Sequence, residues 1–288
     1  MKAYYHIAAF LIIVVISIFF HTQDFRWIID QWQNNPYYQH GFYVFIVTCL
    51  FGIYRLTQVE WGRLSSRSPF WFLPSTFWWV IAAILYWSGR AISSESFHYY
   101  LRTLAFLFMF RGLIGFWLRE RVAKGFSFPI FYPVLAIPFP HFEQISMLLR
   151  EATMYLSTLI FNIFGVASYD PQSGLIVRSV AFPIDQAFTG IESLILLVTF
   201  VVLIVYIFES REILQALVVS LVLPLAFIGC SVRVLVFLIL GYFFNENIAK
   251  TYWDSWATPT FYLVAFLLIG LAWMALRYFI QRKYLKQG

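Results

Sequence analysis

The sequence has 288 residues, of which 61% are hydrophobic and 12% are charged, and its mean hydropathy is +0.74. Soluble domains carry about a quarter charged residues, so this apolar surplus excludes a soluble globular protein and predicts a multi-pass membrane protein. The net charge of +6 comes from Lys and Arg scattered between apolar segments. That distribution excludes a nucleic-acid-binding protein and is typical of residues that orient a membrane protein.

The first apolar stretch covers residues 4–20 and is followed by "HTQDF", which offers no small-residue cleavage site. We therefore expect a retained membrane span rather than a cleaved signal peptide. Further apolar segments of spanning length lie at 41–57, 70–89, 97–118, 125–140, 187–208, 214–243 and 258–280. The sequence predicts an all-helical, polytopic membrane protein with about eight transmembrane helices, organised as a single domain over residues 1–288.

Three segments depart from this regular pattern. The stretch 125–140 contains Pro129, Pro133, Pro138 and Pro140, so it is not expected to be helical throughout. Residues 142–166 read as a further helix, which either lies at the membrane interface or enters the membrane. Residues 165–185 alternate apolar positions around turn residues and predict a small hairpin or capping loop on the outer face.

The distribution of basic residues predicts the orientation of the spans. With both termini in the cytoplasm, twelve Lys and Arg fall on the cytoplasmic side and five on the outer side. This bias agrees with the positive-inside rule. The same orientation gathers His40, residues 185–193, Arg233, Trp253 and Asp254 toward the outer face.

Arg233 is the strongest single candidate for a site residue, because the ten residues after it carry no charge. A basic residue at membrane depth is costly and normally faces a partner or a cavity; a structural ion pair with Glu192 or Asp185 is the alternative. Cys230 precedes it by three residues and shares its helix face, so the guanidinium would favour a nucleophilic thiolate, unless Cys230 is simply a small buried hydrophobe. His40, where a loop meets the membrane, is either an interfacial histidine or a site residue.

The stretch "PIDQAFTGIESLILLVTF" (183–200) crowds polar residues at the head of an apolar helix. Thr189 and Ser193 lie four apart on one face and suit either a site or inter-helix hydrogen bonds, while Gly190 permits close helix approach. Asp185 is a candidate helix cap. Glu192 lies inside the first turns, where capping does not explain it.

The remaining polar residues suggest simpler roles. Arg102 and Arg111 lie near the ends of a predicted span and are expected to extend toward the two interfaces, and His21, His98 and His141 read as interface residues. No His-x-x-x-His pair, Cys-x-x-Cys motif or phosphate-binding loop occurs. We therefore expect no metal site, no cofactor and no disulfide.

Four stretches, taken in order, resemble motifs of the exosortase and archaeosortase family. The first resembles the family's Tyr-Ser-His-Gly-Phe motif, the second its proline-rich segment, the third its Ala-Cys-Ser/Thr-Gly-Ile active-site motif, and the fourth its Asn-x-x-Arg motif. They are "PYYQHGFYVFIVTCLFGIYR" (36–55), "FYPVLAIPFP" (131–140), "AFTGIESL" (187–194) and "PLAFIGCSVRVLVF" (224–237).

The resemblance implies a membrane-embedded cysteine transpeptidase or protease of the prokaryotic cytoplasmic membrane, with its site facing outward. The substrate would be the C-terminal sorting tail of an exported protein, and a lipid-linked acceptor is a further partner. A cysteine thiolate would attack the peptide carbonyl while an arginine stabilises the oxyanion. The resemblance further implies a substrate-binding set of Asp185, Phe188, Thr189, Gly190, Glu192, Ser193, Trp253 and Asp254.

The chain departs from the family pattern at two catalytic positions. Phe188 stands at the position of the cysteine and Trp253 near that of the histidine, while Arg233 is kept and Cys230 replaces the asparagine. The first hypothesis is accordingly a non-catalytic or divergent member that binds a sorting tail.

Two other functions remain open. A working enzyme would use Cys230 as nucleophile, Arg233 as its activator or oxyanion donor, and His40 as base, or Asp185 or Glu192 acting through water. A transporter of a small solute or lipid-linked glycan ranks last, because no repeated halves are visible.

Overall fold

The computed structural model divides into two compact units, Met1–Phe142 and Glu143–Gly288. The residues that the structure describes are 15, 17–59, 73–118, 120–164, 167–170, 174–177, 180–182 and 191–285. Both units are built mainly from α-helices, so the predicted helical class of the membrane protein is confirmed.

The first unit consists of helices followed by an irregular segment. Its helices are α1 (Thr22–Asn34), α2 (Gly41–Thr57), α3 (Leu73–Ala91), α4 (Glu95–Leu118), α5 (Glu120–Gly125) and α6 (Ser127–Phe131). A 3-10 helix, Tyr132–Ala136, continues α6, and Ile137 follows in extended backbone. The prediction that prolines interrupt this segment is confirmed.

Close packing of α3 against α4 depends on a glycine. A Cβ atom at Gly112 would lie 2.5 Å from the indole of Trp79, so only a hydrogen at this position lets the indole reach α4. An apolar cluster joins α4 to the irregular segment beyond it. Its buried members are Val59, Leu107, Ile114, Ala123, Phe126, Ile130 and Ile137.

The second unit contains five helices and a small sheet among its described residues. The helices are α7 (Phe142–Phe161), which begins at the boundary, α8 (Ile191–Phe208), α9 (Glu212–Phe243), α10 (Glu246–Ser255) and α11 (Ala257–Leu285). Strands β1 (Ala167–Asp170), β2 (Gly174–Val177) and β3 (Val180–Phe182) form an antiparallel sheet in the order β1-β2-β3. This sheet occupies the segment for which a hairpin or capping loop was predicted.

The long helix α9 forms the centre of the second unit. One side packs with α8 and α11 in a cluster that includes Leu197, Val222 and Phe261. Further along, Phe237 and Leu238 pack with Ala249 and residues of α7. Most of the side chains that fill these contacts are aliphatic or aromatic, which gives the close packing of a protein interior.

The predicted number of spans is confirmed only in part. Four helices within the described part of the chain are long and apolar enough to cross a membrane: Pro36–Thr57, Glu95–Trp117, Glu212–Phe243 and Ala257–Ile280. They match four of the eight predicted segments. Two others, Ser127–Ala136 and Ser193–Phe208, are shorter apolar helices, and most of the first predicted span lies outside the described residues.

Glu209 ties the turn between α8 and α9 to α11. Its Oε2 accepts a hydrogen bond from Trp273 Nε1 (3.2 Å), and its Oε1 accepts one from the Arg211 N–H (3.2 Å). Burial alone would raise the pKa of this carboxyl, but the two hydrogen bonds and the charge of Arg277 outweigh it. The pKa of Glu209 therefore lies below its usual value.

We expect Glu209 to stabilise the protein at neutral pH and to lose this effect in acid. Because its folded-state pKa is lowered, the stabilisation is complete above the unfolded-state pKa and disappears as the pH falls through the folded-state value. Thermal unfolding in detergent should separate the melting temperatures of the parent chain and Glu209→Gln at pH 7, and the separation should shrink as the pH falls below the usual pKa of a glutamate. The exposed carboxylate of Asp254, changed to Asn, is the control; an undiminished separation in acid would contradict the assignment.

Candidate functional site

Arg233 lies on α9 inside the second unit, and its side chain is 2% exposed. The guanidinium carbon is 4.8 Å from the ring centroid of Trp253 and 6.0 Å from that of Phe261. Aromatic faces attract a cation, and they do so more strongly when water is excluded. Arg233 therefore points into the protein, where two aromatic rings surround part of its charge.

The short helix α10 carries Trp253 to this position. Asn245 caps the helix by accepting a hydrogen bond from the Ile248 N–H (2.8 Å). One residue before Trp253, the Tyr252 hydroxyl donates to the Arg233 carbonyl (3.4 Å). Burial raises the pKa of Tyr252, although a hydrogen bond with Thr260 and the charge of Arg233 act against it, so the phenol stays protonated and donates.

The structure thus brings together the two positions that the resemblance identifies as those of arginine and histidine. Trp253 also packs edge to face against Phe237, with ring centroids 5.5 Å apart. An indole has an N–H donor but no lone pair that accepts a proton. Trp253 can shield the Arg233 cation, but the pair lacks the proton acceptor that an imidazole would supply.

Cys230 lies one helical turn before Arg233 and is 4% exposed. It belongs to the apolar cluster of α8, α9 and α11. Beside it, a Cβ atom at Gly229 would lie 3.3 Å from the Phe261 ring, which shows how closely α11 approaches. A substrate carbonyl would reach the thiol only if this cluster opened, and the nucleophilic role of Cys230 stays a prediction.

Most of the predicted polar stretch before α8 cannot be placed. Asp185, Phe188, Thr189 and Gly190 lie outside the described residues, and Glu192 is described only as helical backbone. Ser193 is buried at the start of α8, with 8% of its surface exposed. On α10, Asp254 is exposed next to Trp253.

A hydroxyl group on α7 contacts α9, the helix that carries Arg233, and this contact was not predicted from the sequence. The Ser157 hydroxyl donates to the Thr153 carbonyl (2.7 Å) and lies 3.3 Å from the Ser231 carbonyl of α9. Ser157 is fully buried. The available signal was the spacing of Thr153 and Ser157, four residues apart on one helix face, which suits inter-helix hydrogen bonding.

His40 lies in the first unit, at the start of α2, and is 8% exposed. Its Nε2 is 3.2 Å from the Leu135 carbonyl, and its ring stacks against that of Tyr38. The catalytic role predicted for His40 stays untested by this placement, but its ring nitrogen is engaged with the backbone.

The expectation that Arg102 and Arg111 extend toward the interfaces is wrong. Arg111 is 1% exposed and pairs with Glu120 at 2.5 Å. Arg102 is 8% exposed, and its Nε lies 3.2 Å from Asp24 Oδ1. Carboxylates within the fold offset the cost of burying each guanidinium, so neither side chain needs to reach water.

A buried network surrounds Asp24, and it includes two histidines that were read as interface residues. His21 Nδ1 lies 2.7 Å from Asp24 Oδ2, and Arg102 Nη1 lies 3.1 Å from His98 Nε2. His98 Nδ1 lies 3.0 Å from the Gly89 carbonyl. The ion pair of Asp24 and Arg102 joins α1 to α4, and the bond between His98 and the Gly89 carbonyl joins α4 to α3. For His21, which is 5% exposed, the interface reading is wrong.

No group of three or more His, Cys, Asp or Glu side chains that could hold a metal occurs among the described residues.

None of the curated proteins and none of the solved structures matches the chain. The family model described as transmembrane exosortase matches residues 32–271, which include all four motifs quoted above. The chain therefore belongs to the transmembrane exosortase family.

Proposed function

We propose that this exosortase-family protein binds the C-terminal sorting tail of an exported protein at the outer face of the membrane and does not cleave it. The observation that carries the proposal is the contact between Arg233 and Trp253. At the position where the resemblance places histidine, an aromatic ring that cannot accept a proton covers the arginine that matches the family motif.

The chemistry of cleavage needs more than the retained arginine. Acyl transfer by a cysteine enzyme requires a nucleophile and a group that moves protons. Phe188 provides no nucleophile, and Trp253 provides no base. Binding requires neither group, so a tail can still be held at the exposed surface beside Trp253 and Asp254.

The proposed setting is the cytoplasmic membrane of a prokaryote, with several spans and both termini in the cytoplasm. The excess of Lys and Arg in the predicted cytoplasmic segments supports this orientation. It directs Trp253 and Asp254 outward, toward an exported protein or a lipid-linked acceptor. Membrane lipids then surround the helices.

Site-specific photocrosslinking in cells tests the proposal. A photoreactive residue at Asp254, which is exposed beside Trp253, should crosslink to the uncut precursor of a tail-bearing protein. The same residue at Tyr278, which is 59% exposed near the predicted cytoplasmic end of α11, is the matched control. Crosslinks equal at both positions, or none at Asp254, would reject binding at this site; cleaved product in cells with the parent chain would reject the non-catalytic role.

A further inference from the structure

The proline-rich segment of the first unit loses backbone donors where its 3-10 helix ends. In 3-10 geometry the Leu135 carbonyl would accept from residue 138, and in α-helical geometry the Ala136 carbonyl would accept from residue 140. Both residues are prolines and have no N–H. An unsatisfied buried polar group is destabilising, and the cost rises at membrane depth.

Side chains from the segment about a hundred residues earlier bond these backbone groups. Trp32 Nε1 donates to the Ala136 carbonyl (2.8 Å), across 104 residues of sequence. His40 Nε2 lies 3.2 Å from the Leu135 carbonyl. The Phe139 N–H, which lies between the two prolines, donates to the Tyr38 hydroxyl (2.9 Å). Two carbonyls and one N–H of the interrupted segment therefore each have a side-chain partner.

Gly41 makes room for one of these partners. A Cβ atom at Gly41 would overlap the indole of Trp32, so a larger residue would push the indole away from the Ala136 carbonyl. The His-Gly pair of the "YYQHG" stretch thus serves one structure: the histidine bonds the segment and the glycine admits the tryptophan. We call Trp32, Tyr38 and His40 the clamp.

We infer that His40 is a positioning residue that, with Trp32 and Tyr38, holds Leu135–Phe139 in its non-helical conformation. A bond to a carbonyl oxygen requires that Nε2 carry the proton. Nε2 therefore donates to the Leu135 carbonyl and does not take a proton from a nucleophile, and the ring also hydrogen-bonds the backbone of Tyr37. The inference assigns His40 a role other than the base considered from the sequence, and it does not depend on tail binding.

Two amide substitutions separate positioning from proton transfer. The side-chain nitrogen of glutamine extends about as far as Nε2 of histidine, whereas that of asparagine matches Nδ1 and falls short of the Leu135 carbonyl. His40→Gln should therefore keep the clamp and His40→Asn should lose it. Neither amide titrates near neutral pH, so both variants would lose proton transfer equally if His40 acted as a base.

The measurement is the rate at which a maleimide labels a cysteine placed at Ile137, a residue that is 5% exposed. The exposed Cys49 is first changed to Ser, while the buried Cys230 stays. Labelling should be slow in the parent and in His40→Gln, and at least about tenfold faster in His40→Asn, because local opening exposes the segment. Trp32→Phe, which keeps an aromatic ring but removes the donor, should also accelerate labelling.

A cysteine at Leu113 on α4, also 5% exposed, is the control site. It should label slowly in every variant, which separates loosening of the segment from general unfolding. Equal labelling of Ile137→Cys in His40→Gln and His40→Asn would overturn the inference, whether both rates were slow or fast. Crosslinking from position 254 gives a second readout, and His40→Gln should retain it. Loss of that crosslink with unchanged labelling rates at Ile137→Cys would reject tail binding and leave the clamp in place.

Discussion

Replacing Asp24 by asparagine is expected to lower the free energy of unfolding by about 3 kcal/mol, because it leaves a buried guanidinium without its carboxylate. Asp24 is 1% exposed, and its two oxygens face Arg102 Nε (3.2 Å) and His21 Nδ1 (2.7 Å). Asparagine keeps the shape and one acceptor but removes the charge. The remaining contacts of Arg102, with the Tyr86 ring at 5.2 Å and with His98 Nε2 at 3.1 Å, compensate only in part.

Unfolding in detergent, followed by circular dichroism, measures this loss. Asp30→Asn is the matched control, because Asp30 lies on the same helix and is exposed, and its Oδ1 accepts a hydrogen bond from Asn34. It should change stability by less than about 0.5 kcal/mol. Equal effects of the two substitutions would show that the buried charge pair does not stabilise the first unit.

The double variant Asp24→Leu with Arg102→Met extends the test. Exchanging a whole buried ion pair for apolar residues is often close to neutral, whereas removing one partner is costly. The double variant should therefore be more stable than Asp24→Leu alone. A simple sum of the two single effects would indicate that the groups do not interact.

Local features of the fold were predictable from the sequence because their causes are local. Pro138 and Pro140 remove N–H groups wherever they occur, so the interruption of the helix could be predicted without tertiary information. Long apolar runs likewise identified the four helices that meet the length and composition for spanning. The prediction of about eight spans also depended on weaker segments. In these segments prolines and polar residues make a membrane span harder to distinguish from a loop.

Long-range partners could not be predicted, because hydropathy carries no pairing information. Asp24 and Arg102 lie far apart in sequence; Arg102 was expected at the interface, and nothing in the sequence singled out Asp24 as its partner. The same holds for Trp32 and Ala136, which are 104 residues apart. Knowing that two carbonyls lacked donors would have called for side-chain partners, but it would not have identified which side chains supply them.

Arg233 was singled out by its charge at membrane depth, whereas the resemblance brought Trp253 into the candidate site. Arg233 was expected to face a partner, and its carboxylate partners Asp185 and Glu192 were the candidates. The contacts that the structure describes are aromatic: Trp253 at 4.8 Å and Phe261 at 6.0 Å. An aromatic partner for a buried cation has no distinct sequence signal in a chain with 22% aromatic residues.

The double substitution Phe188→Cys and Trp253→His restores the family's catalytic residues at both positions where this chain departs from them. It is expected to create cleavage of a bound sorting tail. The cysteine supplies a thiolate, and the histidine places an imidazole at the position whose ring now lies 4.8 Å from the Arg233 guanidinium. Proton transfer by a positioned imidazole contributes about 100- to 10,000-fold to such reactions. Because both groups act in one step, neither single variant should cleave appreciably.

The assay follows the size of a tail-bearing precursor in cells that express each variant. Phe188→Ala with Trp253→His removes the same phenyl group without adding a thiol, and it should leave the precursor uncut. A double variant that still crosslinks to the precursor from position 254 but never cuts it would show that these two positions do not account for the absence of cleavage. Cleavage by the parent chain that is lost in Cys230→Ala would instead establish the relocated nucleophile, since no other cysteine lies near Arg233 in the sequence.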